Sequence, residues 1–330
     1  MSQLLRNALD LASEEVNAAL TAMFPENLEP QVLYDASEHL LRAGGKRLRP
    51  FLVFKACEIV GGQRHDALPV AASIELIHNF TIIHDDIMDD DSKRRGVPTT
   101  HVLWGVPLAI TAGDMLFAKA YEAALQSTIR PRQLLKILTC ITHATIEICE
   151  GQALDVLFEK RSDVSENEYL AMVYKKTAAL LKVAAESGAL VGGGTGRQIQ
   201  KLGKLATYAG LAFQVVDDIL GITADETILG KPVGSDIKEG KRTILLIHAL
   251  KHADDTQRQA ILSVVGNREA KKDQIAHAIE TISALQSIHY ATDKAQTYID
   301  KAKNQLASFP ASSAKDILID LCDYIVSRRY

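Results

Sequence analysis

The chain has 330 residues, 47% of them hydrophobic and 24% charged, with 37 lysines and arginines against 41 aspartates and glutamates. That apolar fraction excludes wholesale disorder, and a formal net charge of −4 excludes a general nucleic-acid binder, which is basic overall. A polyanionic ligand would have to be met by cations clustered locally.

At the N-terminus Leu4, Leu5, Ala8, Leu11, Ala12 and Val16 recur at steps of three and four, the period of an amphipathic helix. Acidic residues appear early there, without the positive-then-apolar order of a signal peptide. Leu134, Ile137, Leu138, Ile141, Thr145 and Ile148 repeat the helical step further on. Glycine and proline breaks at 25–30, 44–45, 61–62, 96–98, 131, 192–196, 230–240 and 310 separate about ten helical segments. Alternating strand patterns are almost absent. No break reads as a linker and no repeat is evident, so the expectation is one large all-α domain over residues 1–330.

The longest charge-free stretch, residues 96–113, contains Pro98 and Pro107 and does not read as a transmembrane segment. Four scattered cysteines, Cys57, Cys140, Cys149 and Cys322, form no CxxC pair. They predict reduced, buried thiols and a cytoplasmic location. The glycine run at 192–196 follows a helical pattern and has no closing Lys-Ser/Thr, so it predicts a helix-to-helix turn rather than a phosphate loop.

The densest chemical signal is the run HDDIMDDD at 84–91, which ends an apolar segment beginning near Val70. On an α-helix Asp85 and Asp89 lie about 40° apart, and His78 about 20° from Asp85. Like charges at that spacing destabilise an isolated helix, and the preceding IELIHNFTII reads as core. Acids emerging from a buried face predict ligands for a hard cation. A second run, FQVVDD at 213–218, repeats the pattern with Asp217 and Asp218. Magnesium suits both, because it shares coordination among one or two carboxylates, waters and substrate phosphates. Neither run is an EF-hand loop, and no Glu-x-x-His pair supports a di-iron site.

Cations gather at glycine turns and helix starts. They include GGKRLRP at 44–50, Arg94 and Arg95 before Gly96, Lys175 and Lys176 before Thr177, Lys231, and Lys241 and Arg242 before Thr243. Any one of these alone reads as surface charge. Five clusters alternating with two carboxylate patches point to two diphosphates, one bound through metal and one held by cations alone.

In these motifs the chain resembles the trans-isoprenyl diphosphate synthases, also called polyprenyl synthetases, and most of all the archaeal-type geranylgeranyl diphosphate synthases. GGKRLRP, DDIMD followed by RRG, GQALD, KT, FQVVDD and GKPVGSDIKEGKRT occur in order over residues 44–243. The resemblance implies an all-α bundle around a deep central cavity, usually a homodimer, with the two aspartate motifs facing each other. It implies a head-to-tail condensation of isopentenyl diphosphate with an allylic diphosphate (dimethylallyl, geranyl or farnesyl) that releases diphosphate. It also implies two or three magnesium ions. Lys46, Arg49, His78 and Arg95 resemble the isopentenyl diphosphate site. Asp85, Asp89 and Asp217 resemble the metal carboxylates, and Arg94, Lys176, Thr177, Gln214, Lys231 and Lys241 the other partners of the allylic diphosphate.

The second motif departs from the family pattern, because Gly221 stands where a third aspartate is common. Asp218, or Asp225 and Glu226 further on, are the candidates to share its load. Phe80, roughly 7.5 Å before Asp85 along the helix, and the adjacent Thr81 resemble the floor of the product tunnel in enzymes making the C20 product. Farnesyl and longer-chain synthases are the alternatives. A terpene cyclase would leave GGKRLRP and Arg95 without a task, and a non-catalytic subunit would be expected to lack one aspartate motif.

Overall fold

The computed structural model describes residues 1–25, 27–224 and 233–328. The first helix, α1 (Gln3–Ala22), starts where the Ser2 side chain accepts from the Leu5 N–H, and it buries Leu5, Leu9, Ala12, Val16 and Leu20 as one stripe. Leu4 and Leu11, which the periodicity includes in the apolar set, are exposed. Each precedes a stripe residue by one position, about 100° around the helix.

Next come α2 (Gln31–Arg42), α3 (Leu48–Ile59) and α4 (Arg64–Met88). A two-stranded antiparallel hairpin follows, β1 (Lys93–Arg94) with β2 (Val97–Pro98), which the near-absence of strand signals did not anticipate. Its two-residue loop holds Arg95 and Gly96 at φ 53° and 78°, the positive values that tight hairpin turns demand. The chain continues through α5 (Thr100–Trp104), α6 (Val106–Leu125), α7 (Pro131–Glu159) and α8 (Glu166–Val173). A π-helical turn (Tyr174–Ala178) leads into α9 (Ala179–Val191) and α10 (Gly196–Thr223). After that lie α11 (Ser235–Glu239), α12 (Ile244–His252), α13 (Asp255–Leu262), α14 (Lys272–Ala284), α15 (Ser287–Gln305) and α16 (Ser313–Ser327). The glycine run before Gly196 is the expected helix-to-helix turn.

The chain divides into two compact units. The first comprises Met1–Thr145, Leu180–Ala206 and Gln305–Leu321; the second comprises Ile146–Ala179, Thr207–Asn304 and the segment from Cys322. At the centre of the first, α4 packs against α3 and α6. Its residues 70–77 are all buried, the pattern of a helix enclosed on every side. The polar Glu75 among them receives Arg47 at 2.6 Å and the Asn79 amide at 3.0 Å. Breaking such a buried pair on one side costs roughly 3–5 kcal/mol, so this network holds the 44–50 turn against α4. In the second unit Leu211, Val215, Val216, Leu220 and Ile222 of α10 enter the core.

Among the described residues one helix, α10, is long and apolar enough to cross a membrane, and 61% of its apolar window is buried within the protein. Cys57 and Cys322 are buried and their thiols pushed up to about 12, mainly by burial. Cys140 is half-buried, and Cys149, against expectation, is exposed.

Candidate active site

The glycine turn before α3 sends its cations in different directions. Gly45 has φ +144°, and a Cβ there would lie 3.1 Å from the Arg95 guanidinium carbon. The backbone angle requires glycine, and its missing side chain leaves room for that close approach. Arg47, in left-handed conformation, points inward and donates to Asn17 Oδ1 at 2.9 Å and Leu41 O at 2.7 Å, besides its pair with Glu75. It is an anchor for the turn. Lys46 is exposed, and Arg49 reaches His78, with Nη1 2.9 Å from Nε2.

A guanidinium only donates, so His78 Nε2 is the acceptor. Burial, then the charges of Arg49 and Arg95, hold the imidazole well below its ordinary value and therefore neutral. Arg95, at the hairpin tip, donates to Leu40 O at 2.8 Å, to Gly44 O, and to Asn79 Oδ1 at 3.4 Å. Three of the four residues expected at the isopentenyl diphosphate site thus form a cluster rich in positive charge, with Lys46 at its edge.

The first carboxylate patch is split by the end of α4. Asp89 is its C-cap, and both Asp85 and Asp89 are half-buried. The carbonyl end of a helix favours a cation and disfavours carboxylates, so this pair is predisposed to a positive partner. Asp86 points into the protein, where burial raises its carboxyl to about 6 even though Arg94 opposes the shift. Arg94 Nε donates to Asp86 Oδ1 at 2.7 Å and Nη2 to Asp91 Oδ2 at 2.8 Å. Asp86 and Asp91 therefore hold Arg94 beside the patch. Phe80 meets His84 edge-on at 5.0 Å and Phe117 at 5.4 Å, and Phe117 meets Tyr121 at 5.2 Å. The Thr81 hydroxyl donates to His78 O at 2.8 Å. Phe117 and Tyr121 sit one turn apart on α6, a spacing visible in the sequence, but only the packing of α4 on α6 brings them behind Phe80.

In the second unit a cleft of about 110 Å³ is lined by Asp155, Tyr169, Lys176, Thr177, Gln214, Asp218, Asp236 and Lys241, among others. One wall is the π-helical turn, which shifts the backbone bonding register around Lys176 and Thr177. Gly151 on α7 lies against it, and a Cβ there would stand 2.4 Å from Lys176 N. Only glycine admits that contact. Lys176 Nζ donates to Asp155 Oδ2 at 2.6 Å, a partner supplied by the GQALD motif, whose role residue order alone does not reveal. Thr177 donates to Gln214 at 3.1 Å, and Gln214 donates to Asp218 Oδ1 at 3.0 Å. The Tyr169 hydroxyl donates to Asp218 Oδ2 at 2.6 Å.

With both oxygens engaged, Asp218 is buried and its carboxyl raised to about 7, chiefly by desolvation. Tyr169 and Gln214 each donate to one of its oxygens and fix its orientation beside Asp217. At Gly221 a Cβ would meet Asp236 Oδ2 at 3.1 Å, so the space of the missing third aspartate side chain is bordered by another carboxylate. Lys241 pairs with Glu239 at 2.9 Å, and Asp217 with Arg328 at 2.9 Å. Lys231, Asp225 and Glu226 lie outside the described residues.

The donor chemistry fits a hard divalent cation. Asp85 with Asp89, and Asp217 in the other unit, offer carboxylate oxygens. Among the described residues no group of three His, Cys, Asp or Glu side chains is preassembled for a metal. An ion bound there would complete its shell from waters and substrate oxygens, as magnesium does.

An all-α scaffold with paired carboxylates and a half-buried arginine–histidine cluster defines a class of protein that handles phosphorylated ligands with the help of hard cations. Residues 30–282 match the polyprenyl synthetase family, and the chain belongs to that family and is a prenyltransferase. It is 43% identical to the short chain isoprenyl diphosphate synthase of Methanothermobacter thermautotrophicus over 99% of this chain and 98% of that one. The crystal structure of geranylgeranyl pyrophosphate synthetase from Pyrococcus horikoshii superposes with a TM-score of 0.93 at 41% identity, covering 99% of each chain. The Caulobacter crescentus polyprenyl synthase, complexed with calcium and isoprenyl diphosphate, gives a TM-score of 0.90 at 32% identity, covering 99% of this chain and 98% of that one. Members of the family use divalent metal ions.

Proposed function

We propose that this enzyme is a magnesium-dependent geranylgeranyl diphosphate synthase, condensing isopentenyl diphosphate with an allylic diphosphate (dimethylallyl, geranyl or farnesyl). The observation that carries the reading is the order of side chains along α4: His78 with Arg49, then Phe80, then Asp85 and Asp89 at the helix end. On this reading, residues of a diphosphate pocket, a hydrophobic stop and a metal patch follow one another along α4.

Two or three magnesium ions, held by Asp85, Asp89 and Asp217, would neutralise the departing diphosphate and so ease ionisation of the allylic C–O bond. Arg94, Lys176 and Lys241 would add positive charge where the leaving group gains negative charge, the role the family resemblance also gives Lys231. Thr177 and Gln214 orient that diphosphate through hydrogen bonds. Lys46, Arg49, His78 and Arg95 hold isopentenyl diphosphate, so its double bond attacks from a fixed position rather than by diffusion. Neutral His78 contributes as a hydrogen-bonding group without adding charge. Phe80, backed by Phe117, limits the growing chain at C20, with Thr81 beside it.

We propose that residues 1–330 work as a single synthase domain and act in the cytoplasm as a homodimer. Val102, Leu103, Val106 and Ile110 on α5 and α6 are exposed apolar side chains, the kind a second copy would cover.

Radiolabelled isopentenyl diphosphate with each allylic primer, with and without magnesium, tests the activity. Metal-dependent incorporation into a C20 product is expected, and no incorporation with any primer overturns the assignment. Phe80→Ala is expected to lengthen the product. A chain-length profile unchanged on thin-layer chromatography removes Phe80 as the stop.

A further inference from the structure

Arg328 is a side chain that the proposed reaction does not use, yet it sits on the carboxylate that leads the second patch. It follows α16, and its side chain is 2% exposed whereas that of Asp217 is 33% exposed. Nη1 lies 2.9 Å from Asp217 Oδ1. The guanidinium carbon is 3.9 Å from the centre of the Phe213 ring, one turn before Asp217 on α10. Nη2 donates to Phe213 O at 3.1 Å and Nε to Ile325 O at 3.2 Å.

We propose that Arg328 is the resident counter-cation of Asp217, a positioning residue that occupies the metal-facing carboxylate in the metal-free enzyme and yields it to an incoming divalent ion. The proposal rests on the reading of Asp217 as a metal carboxylate. Asp217 adjoins Asp218, which also feels the charge of Asp236, so negative charge gathers there and a nearby cation is needed to offset it. Arg328 supplies that charge from a site built to hold it, through the aromatic face and two backbone carbonyls.

The same site explains why the arginine can give way. When a divalent ion brings two charges to Asp217 in place of one, Arg328 loses its carboxylate but keeps the Phe213 face and both carbonyls. The displaced guanidinium is therefore never left without partners. Lys176 on Asp155 and Lys241 on Glu239 are ligand-facing cations held by carboxylates. Here the roles are reversed, with a metal-facing carboxylate held by a cation.

The test is Mn²⁺ binding to the full chain without substrate, followed by electron paramagnetic resonance. An Asp85→Asn, Asp89→Asn background silences the first patch. Adding Arg328→Gln to it is expected to tighten binding about tenfold, the scale of one charge-assisted contact, while Arg328→Lys stays within about threefold of the parent. A residue that merely anchors the C-terminus would change thermal stability and leave metal affinity alone. Equal or weaker binding by Arg328→Gln thus overturns the proposal.

Asp217→Asn in the same background separates the two ideas. Unchanged affinity there overturns the reading of Asp217 and the proposal with it. Lost affinity there, with no gain in Arg328→Gln, overturns the proposal alone. Should Arg328→Gln not fold, hydrogen exchange of the unsubstituted enzyme decides. Residues 322–328 are expected to exchange faster on adding Mg²⁺ and inorganic diphosphate, and unchanged or slower exchange overturns the displacement.

Discussion

The two aspartate patches read alike in sequence but are built differently. The first lies at the end of α4, where the helix stops at Met88 and Asp89 is the cap. The second lies inside α10, which runs on to Thr223. At a helix terminus the backbone itself favours a cation beside Asp85 and Asp89. Within a helix no such bias exists, and individual side chains do the work: Arg328 on Asp217, and Tyr169 with Gln214 on Asp218. Equivalent acidic motifs can thus be given their electrostatic setting by helix geometry in one place and by neighbouring side chains in the other.

Substitution of the leading aspartates should expose that difference most strongly. Asp85→Ala is expected to lower kcat/KM by about 10³-fold or more, on the scale of losing preorganised charge stabilisation. Asp217→Ala is expected to cost about tenfold less, because Asp236 remains beside Gly221. Steady-state kinetics at saturating magnesium measures both, and a larger loss for Asp217→Ala reverses the ranking.

A smaller effect is expected at the contact that shapes the cleft of the second unit. Gly151→Ala forces a methyl group onto the Lys176 backbone and should destabilise the protein by about 1–3 kcal/mol, as overpacking does. Activity should fall with it through displacement of Lys176. Urea unfolding and a kinetic assay on the same preparation measure the two effects. A variant with unchanged stability would show that the π-helical turn yields to the methyl group at little cost.

The smallest effect concerns His78 in the first unit. Its folded value is depressed, so below about pH 6.5 the unfolded chain binds a proton that the native enzyme refuses. Stability from this group is complete above that pH. It is lost as pH falls, by up to about 1.4 kcal/mol per pH unit, until the folded group titrates. His78→Gln should flatten that part of the profile in urea midpoints measured from pH 7.5 to 5.5. An identical acid slope in the variant assigns the titration to other groups.

Much of this molecule was legible before folding was considered. The helical period, the break at 192–196 and the adjacency of acids and cations are local, so residue order alone displays them. The hairpin at Arg94 was missed because its strands are two residues long, too short for alternation to register. The distinction among the cations of GGKRLRP was equally hidden. Arg47 is turned into the core by Glu75 and Asn17, neither of which is a sequence neighbour, whereas Arg49 is left to reach His78.

By itself, then, the sequence determined an all-α chain with two carboxylate patches and clustered cations, because short-range pattern encodes element type and charge clustering, and the order of its motifs carried the resemblance to prenyltransferases. The tertiary structure alone decided which members of each cluster face outward and which are held by protein. It committed Asp86 to Arg94, Asp218 to Tyr169 and Gln214, Asp155 to Lys176, and Arg328 to Asp217. Most of those pairings join positions far apart in the chain. They follow from burial, which requires each enclosed charge to find a partner, and the fold determines which partners lie within reach.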